Sequence, residues 1–330
     1  MKAVRIIIAV VLTSIVLVVA GRNSRGRSEP LSYEENGISF EMITVPKWEE
    51  KGLAYIPIKV TGGDGDSLRV QLRVAKFKQD LTTPRAQFAT APMGYDSTTG
   101  EYIGQIQCGS RGGRTYWYVE VRDRVGGLRA SLLNENGDPF TLKFIGIVPA
   151  WILISHIVLM FVTVFFVALS GVHAVQFLRG KGELRPMLVS LLWGVIAAFL
   201  GGYPFGFAMN WYAFGTIWEG VPFGTDATDN KTQLLFVYML FVLLAGIRTL
   251  TKGKIGRDTY SAEVLARFGV GSIFVMLAIY LIPHSIQFSP ELTKTVCWSF
   301  IGLVALIYFG GLAFGNKGKN GPRRARARKQ

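Results

Sequence analysis

Residues 147–178 read IVPAWILISHIVLMFVTVFFVALSGVHAVQFL, a long stretch without Asp, Glu, Lys or Arg. The hydrocarbon core of a bilayer is about 30 Å thick, and a helix of about 20 apolar residues crosses it. A chain in lipid must pair its backbone amides and carbonyls internally, which a helix does. This stretch therefore predicts a transmembrane helix.

Four further windows lack these charged residues, and a soluble domain of 330 residues would not need so many uninterrupted apolar stretches. The windows are 187–218, 232–247, 268–290 and 295–316. Together with the first they predict a five-helix transmembrane domain over residues 147–316, and hence a multi-pass α-helical membrane protein.

The second window is too long for one span, and Gly201, Gly202 and Pro204 interrupt it. Glycine and proline weaken or break helices. We therefore expect a span over 187–203, followed by an aromatic outer segment at 205–224 that lies in the membrane interface.

Residues 1–20 have the pattern of an export signal, with Lys2 and Arg5 before an apolar core and Ala20 at the end. They are either a cleaved signal peptide or an uncleaved signal anchor. Both alternatives export the chain that follows, which begins with a linker over residues 21–32.

Charge on the loops predicts the orientation. The 179–186 loop, the 248–267 loop and the tail at 317–330 are basic, whereas 219–231 is acidic and 285–294 is balanced. By the positive-inside rule the basic segments, including the C-terminal tail, are cytoplasmic. The location predicted is the cytoplasmic (inner) membrane. Topology accounts for the net charge of +14, so no nucleic-acid partner is expected.

Residues 33–146 carry the alternation typical of β-strands, clearest where Leu68, Val70, Leu72 and Val74 are separated by polar residues. Short runs at regular spacing, separated by Gly-, Asn- and Asp-rich turns, predict an exported antiparallel β-sandwich. The candidate strands are 38–45, 53–60, 67–75, 86–91, 98–107, 115–122, 129–134 and 140–145.

Two stretches of this segment, GEYIGQIQ at 100–107 and GGRTYWYVEVRDRVGG at 112–127, resemble the late strands of a fibronectin type III or immunoglobulin-like domain. The resemblance covers about a third of the chain. It implies a scaffold for recognition, and it brings no catalytic residues with it.

The exported segment contains no histidine, which excludes Ser/His/Asp and Cys/His catalysis there. Its arginines around the GSRGGR turn are more typical of a solvated hairpin than of an anion-binding loop. The two cysteines, Cys108 and Cys297, exclude a disulfide scaffold, and we expect two unpaired thiols, with a bridge between them as the alternative.

All three histidines lie in the charge-free windows. His156 and His284 fall at similar depth near the outer side, as the two axial ligands of a b-type haem would. The alternative is that they are structural residues that hydrogen-bond between helices. His173 follows on the same helix as His156, about 25 Å further along at 1.5 Å per residue, and cannot join that pair.

Asp226 and Asp229 lie just before the third window, together with Thr228 and Asn230. Carboxylates at this spacing could bind a hard cation. The simpler expectation is that Asp229 or Asn230 caps a helix that begins near Lys231.

The predicted function is an integral anchoring or interaction subunit of an envelope complex. Its partners are the lipid bilayer and other membrane proteins, and it needs no cofactor. The alternative is a redox subunit that binds b-type haem or quinone. A transporter is less favoured, because the charge-free spans lack the ionisable residues of ion-coupled carriers.

Overall fold

The structure is a computed structural model that describes residues 2–24, 28–49, 52–62, 68–76, 88–91, 93–252, 258–282 and 288–314. The chain divides into two compact units. The helical unit comprises residues 1–25, 150–209 and 216–330, and the β unit comprises residues 26–149 and 210–215. The predicted cytoplasmic tail at 317–330 lies outside the described residues.

The described ranges contain eight helices, of which α4 is divided between the two units and the other seven belong to the helical unit. They are α1 (Lys2–Ser24), α2 (Ala150–Leu178), α3 (Leu184–Leu200), α4 (Gly206–Phe214), α5 (Ala227–Ala245), α6 (Ile247–Lys252), α7 (Ala262–Leu281) and α8 (Pro290–Phe314).

Five segments of the described chain are long and apolar enough to cross a membrane. They are Ala3–Arg22, Ala150–Leu178, Leu184–Phe214, Ala262–Leu281 and Pro290–Phe314. These candidate spans are compatible with the prediction of a multi-pass membrane protein. These five segments are not the five predicted windows: they include α1, and they do not include α5. The first two turns of α5, ATDNKTQ, are polar and lower its mean hydropathy.

The core of the helical unit is apolar, and small residues bring its helices close together. Val167 of α2, Leu188 of α3 and Met239 of α5 are fully buried in one cluster. A Cβ at Gly171 of α2 would overlap the side chain of Ile273 on α7. Close approach at small residues is the usual means of helix association in lipid, where burial of apolar surface provides no driving force.

The glycines and the proline predict that the helix beginning at Leu184 ends at residue 203. In the structure the helix continues beyond that residue. Residues Gly201–Phe205 form a turn of π-helix that joins α3 directly to α4, with Pro204 inside it. The glycines serve close packing, since a Cβ at Gly201 would lie 2.9 Å from Leu159 Cβ and one at Gly202 would overlap Thr232. A π turn also tolerates the missing proline amide, because it already interrupts the regular hydrogen-bond ladder.

The β unit consists of two sheets. Its strands are β1 (Pro30–Glu35), β2 (Ile38–Ile43), β3 (Lys47–Trp48), β4 (Leu53–Gly62), β5 (Arg69–Lys76), β6 (Ala89–Ala91), β7 (Met93–Asp96), β8 (Glu101–Gln107), β9 (Arg114–Arg122), β10 (Leu128–Leu132) and β11 (Phe140–Phe144). The five-stranded sheet has the order β1-β2-β4-β8-β7. The six-stranded sheet has the order β3-β11-β9-β5-β6, with β10 also paired to β9.

Both sheets contribute to one apolar core, which includes Phe40 and Ile56 from the first sheet and Trp117, Val119 and Leu142 from the second. Each candidate strand corresponds to an observed one, and the two-sheet architecture agrees with the sandwich expected. Strands β1, β3 and β7 are additional, and β1 begins at Pro30, before the predicted start at residue 33.

The β unit also includes a segment distant in sequence, Asn210–Gly215. The amide of Gly146 donates to the carbonyl of Ala213 at 2.9 Å, and Lys143 Nζ lies 4.2 Å from the centre of the Phe214 ring. Residues 33–146 alone would lose these contacts and part of β1.

Candidate functional site

His156 lies on α2 and contacts the π turn. Its Nδ1 is 2.9 Å from the carbonyl oxygen of Gly201. A carbonyl only accepts hydrogen bonds, so Nδ1 carries the proton and Nε2 of a neutral ring carries the lone pair. Metal-ligating histidines commonly have this arrangement, with one nitrogen fixed by a hydrogen bond and the other left to bind. The same bond also serves a structural role between α2 and the π turn.

The other two histidines do not join His156 within the described chain. His284 lies outside the described residues. His173 Nδ1 is 3.4 Å from Nη1 of Arg5 on α1. Because arginine is always a donor, the histidine accepts. His173 therefore links α2 to the N-terminal helix, as a structural histidine would.

Asp226, Asp229 and Asn230 fasten the 219–226 loop to the start of α5. Asp226 Oδ1 accepts from the amides of Thr228 at 2.8 Å and Asp229 at 3.0 Å. Capping therefore occurs, but at Asp226, with the helix starting at Ala227 instead of near Lys231.

The next two residues bind the loop from the other side. Asp229 Oδ2 accepts from the Glu219 amide at 2.7 Å, and Asn230 Oδ1 accepts from the Val221 amide at 2.8 Å. These oxygens are directed at N–H donors. Among the described residues no group of three His, Cys, Asp or Glu side chains is arranged to hold a metal ion.

Lys231 is a buried residue whose role sequence reasoning missed. Its Nζ donates to the carbonyl of Ile282 at 2.9 Å and so connects α5 to the end of α7. In the sequence it belongs to a polar stretch before an apolar run, a pattern equally typical of a solvated loop. Only the position of α7 reveals the contact.

Aromatic rings gather around Tyr203 of the π turn. Trp218 stacks on it at 5.7 Å between ring centres and 15° between planes, and Phe207 and Phe236 meet it edge-on at 5.7 and 5.2 Å. Within the helical unit these rings connect the π turn to the loop that follows α4 and to helix α5. The two cysteines are separate thiols, since no disulfide joins Cys108 to Cys297.

Arg122, one of the arginines near the GSRGGR turn, is held by partners close to it in sequence. Arg122 forms an ion pair with Glu120, with Nη2 2.8 Å from Oε2, and donates to the Gly126 carbonyl at 2.8 Å. The neighbouring turn is closed by Asp123 Oδ1, which accepts from the amides of Val125 and Gly127. This geometry fits the hairpin alternative.

The outer face of the six-stranded sheet is covered. Tyr118 and Glu120 of β9 are buried there, and the Tyr118 hydroxyl donates to Glu120 Oε1 at 3.0 Å. Burial raises the pKa of the Tyr118 phenol, and the charge of Glu120 adds to the increase, so the phenol remains a donor. Arg73 of β5 lies 3.8 Å from the same carboxylate. The network is internal and leaves this face closed.

The outer face of the five-stranded sheet is open. The side chains of Ala54, Ile56 and Ile58 on β4 point into the core, so Tyr55, Pro57 and Lys59 point outward. In the register of the sheet, Pro57 of β4 lies opposite Ile103 of β8, and Ile103 lies opposite Gly94 of β7. At the other side of the sheet, Ile43 of β2 lies opposite Pro30 of β1. The ladder between β2 and β4 ends at Glu41 opposite Lys59; two residues further along the same register, Ile43 would lie opposite Pro57. We call Ile43, Pro57 and Ile103 the apolar row.

The apolar row is flanked by polar groups. Ile43 is 61% exposed and Tyr55 is 45% exposed. On one side lie Glu41 and Lys59, which form an ion pair with Lys59 Nζ 3.4 Å from Glu41 Oε2. Glu101 of β8 lies on the same side, and its neighbour in the register of β7 is Asp96. This open face carries more acidic than basic side chains, in a chain whose overall charge is strongly positive.

No protein-family model matches the chain, and comparisons with curated proteins and with solved structures give no match either.

Proposed function

We propose that this protein is an integral anchoring and interaction subunit of an envelope complex in the cytoplasmic (inner) membrane. In this proposal the helical unit anchors the chain, the β unit is exported, and the basic C-terminal tail is cytoplasmic. The open face of the five-stranded sheet carries the proposal, because it is the part of the β unit best suited to bind another protein.

Three properties of that face support binding. It combines an apolar centre with a polar rim, which is the usual composition of a protein–protein interface. Tyr55 adjoins the apolar row, and tyrosine is enriched among residues that dominate binding energy. The face is built on paired strands, so little order has to be gained on binding. A fibronectin- or immunoglobulin-like scaffold, which the sequence resembles, would have this use.

The charges on the face indicate the chemistry of the partner. Glu41 and Glu101 flank the apolar row, with Lys59 as the counter-charge beside them. Electrostatic complementarity therefore favours a protein surface with apolar side chains and a rim of Lys or Arg. An anionic lipid surface is disfavoured, because like charges would approach each other.

Replacing Ile43 with arginine should disrupt the complex, since it places a charge on the most exposed side chain of the apolar row. The loss of an interface hot-spot residue costs at least about 2 kcal/mol, so we expect roughly thirty-fold weaker co-purification of the partner with the full-length protein. Quantitative mass spectrometry of the membrane-extracted complex measures this change.

The matched control is Val125→Arg, because Val125 is 93% exposed in the β9–β10 turn and distant in sequence from the apolar row. It should leave the complex intact. Charge provides a second test: Glu41→Lys should weaken the association, whereas Lys59→Glu should not. Equal losses for Ile43→Arg and Val125→Arg would overturn the assignment of this face.

A second candidate, a redox subunit with b-type haem, is favoured by the tautomer of His156. Its Nε2 has the lone pair that an axial ligand needs, and a bound haem would supply one-electron transfer. If this is correct, the purified protein absorbs in the Soret region, and His156→Ala abolishes that absorption whereas His173→Ala retains it. A colourless protein from haem-replete cells would exclude this candidate and leave the first one unaffected.

A further inference from the structure

The free edge of β10 meets the turn between β1 and β2 at a seam of the sandwich. Within the described residues, β10 is paired along one edge to β9, and β1 is paired along one edge to β2. An unpaired strand edge presents amides and carbonyls to which another strand can add. The two strands belong to different sheets, so the β unit is open to extension at this seam unless something covers it.

Two side chains of the β1–β2 turn bind the edge of β10. The Glu35 carboxylate accepts from the Ser131 amide, with Oε2 2.7 Å from the nitrogen. The Asn36 side-chain amide donates to the Arg129 carbonyl at 2.8 Å. We call Glu35 and Asn36 the clasp. One supplies an acceptor and the other a donor, so together they take the place of the hydrogen bonds that a neighbouring strand would make.

The clasp binds where the pairing of β10 with β9 is irregular. The register shifts at Arg129, which is the extra residue of a bulge. A bulge leaves its extra residue unpaired in the ladder, and Asn36 supplies a partner for that carbonyl. The regular register resumes at Ala130, and the amide of Ser131 is directed to Glu35. The clasp therefore occupies a donor and an acceptor of the free edge.

The turn that carries the clasp has a fixed shape. Asn36 has φ +52° and Gly37 has φ +74°, the left-handed pair typical of a two-residue hairpin turn. Glu35 lies in register with Ile38 across that turn. A Cβ at Gly62 would overlap the Gly37 carbonyl, so the end of β4 packs closely against the turn. The position of the clasp is thus set by the backbone of the hairpin.

We propose that the clasp masks β10 against strand addition by a second copy of this chain. An antiparallel edge is complementary to itself, so without the clasp two β10 edges would pair about a two-fold axis. In a pairing centred on Ala130, Arg129 of each copy lies opposite Ser131 of the other, and no like charges face each other. The proposal concerns an edge of the β unit and does not depend on the partner of its open face.

The test measures self-association of the full-length protein in detergent by native mass spectrometry. Glu35→Ala removes the acceptor of the clasp and should tighten self-association about tenfold, the scale of one or two net hydrogen bonds. Glu35→Gln retains an acceptor oxygen and should restore the behaviour of the parent protein. The matched control, Glu34→Ala, removes the same charge from the exposed neighbour on β1 and should leave self-association unchanged.

A second readout follows the edge itself. At a dilution at which Glu35→Ala is monomeric, its Ser131 amide should exchange with deuterium about tenfold faster than in the parent protein, because it has lost a bond to a charged group. Asn36→Gly guards against loss of folding, since glycine keeps the left-handed turn but lacks the side-chain amide. It should also tighten self-association, at a melting temperature close to that of the parent protein.

The last variant locates the contact. Ser131→Pro, added to Glu35→Ala, removes the amide through which a second strand would pair, and proline is tolerated at a strand edge that faces solvent. It should abolish the gain in self-association. A gain that survives Ser131→Pro would overturn the proposal, since the copies would then meet elsewhere. Equal effects of Glu35→Ala and Glu34→Ala would overturn it too, and so would faster exchange of the Ser131 amide without any change in self-association.

Discussion

Replacing Trp117 with alanine should unfold the β unit more readily than any other single truncation in it. The side chain is fully buried and stacks on Phe140, with 4.8 Å between ring centres. Removing a large buried aromatic side chain costs about 3–5 kcal/mol, because apolar contacts are lost and a cavity remains. Domain stability is only about 5–15 kcal/mol. The midpoint for proteolysis of the β unit in a urea series should fall accordingly.

Trp117→Phe is the informative control. The indole Nε1 is buried without a hydrogen-bond partner in the described structure, and an unsatisfied buried donor costs about 1–3 kcal/mol. Phenylalanine removes that donor and retains a ring opposite Phe140. Its loss of stability should therefore be much smaller than that of alanine. Equal losses for the two variants would show that the stacking does not stabilise the sandwich.

The purified protein should retain its first 20 residues. Helix α1 buries Ala9, Thr13, Val16 and Ala20 along one face. The spacing of four, three and four residues is that of a single helix stripe. Val16 belongs to the apolar core of the helical unit, and Arg5 binds His173 of α2. Cleavage after Ala20 would remove this face, so we expect an uncleaved anchor, measured by the intact mass of the protein extracted from membranes.

Two variants separate anchor from signal. Ala20→Leu blocks a small-residue cleavage position, and for an anchor it should change the mass only by the substitution. Ala9→Leu adds bulk at a fully buried position and should cost about 1–3 kcal/mol, as overpacking does. A mature chain that begins at residue 21 would contradict both expectations.

Local patterns predicted most of the strands and helices. The alternation in β5 and β9 follows from side chains that point in turn to the two faces of the sheet, and the long apolar runs have few alternatives to helices. The exceptions depend on tertiary contacts. Gly201, Gly202 and Pro204 are typical of a helix break, but contacts with Leu159 and Thr232 make the glycines part of a continuous helix.

The candidate sites were less predictable than the fold, for the same physical reason. Asp226 and Asp229 have the residue types of a cation site. Only the folded position of the 219–226 loop shows from which amides their oxygens accept hydrogen bonds. The apolar row is a product of register, since Ile43, Pro57 and Ile103 are far apart in sequence.

The polar start of α5 has a consequence for how the protein is made. If α5 enters the bilayer as part of the proposed membrane anchor, its Asp229, Asn230 and Lys231 make it insert poorly alone, because charged side chains oppose transfer from the translocon into lipid. The acceptor for Lys231 is the carbonyl of Ile282, which is synthesised some 50 residues later. We infer that α5 remains near the translocon until α7 has emerged, so that these two helices partition into the bilayer together during biogenesis.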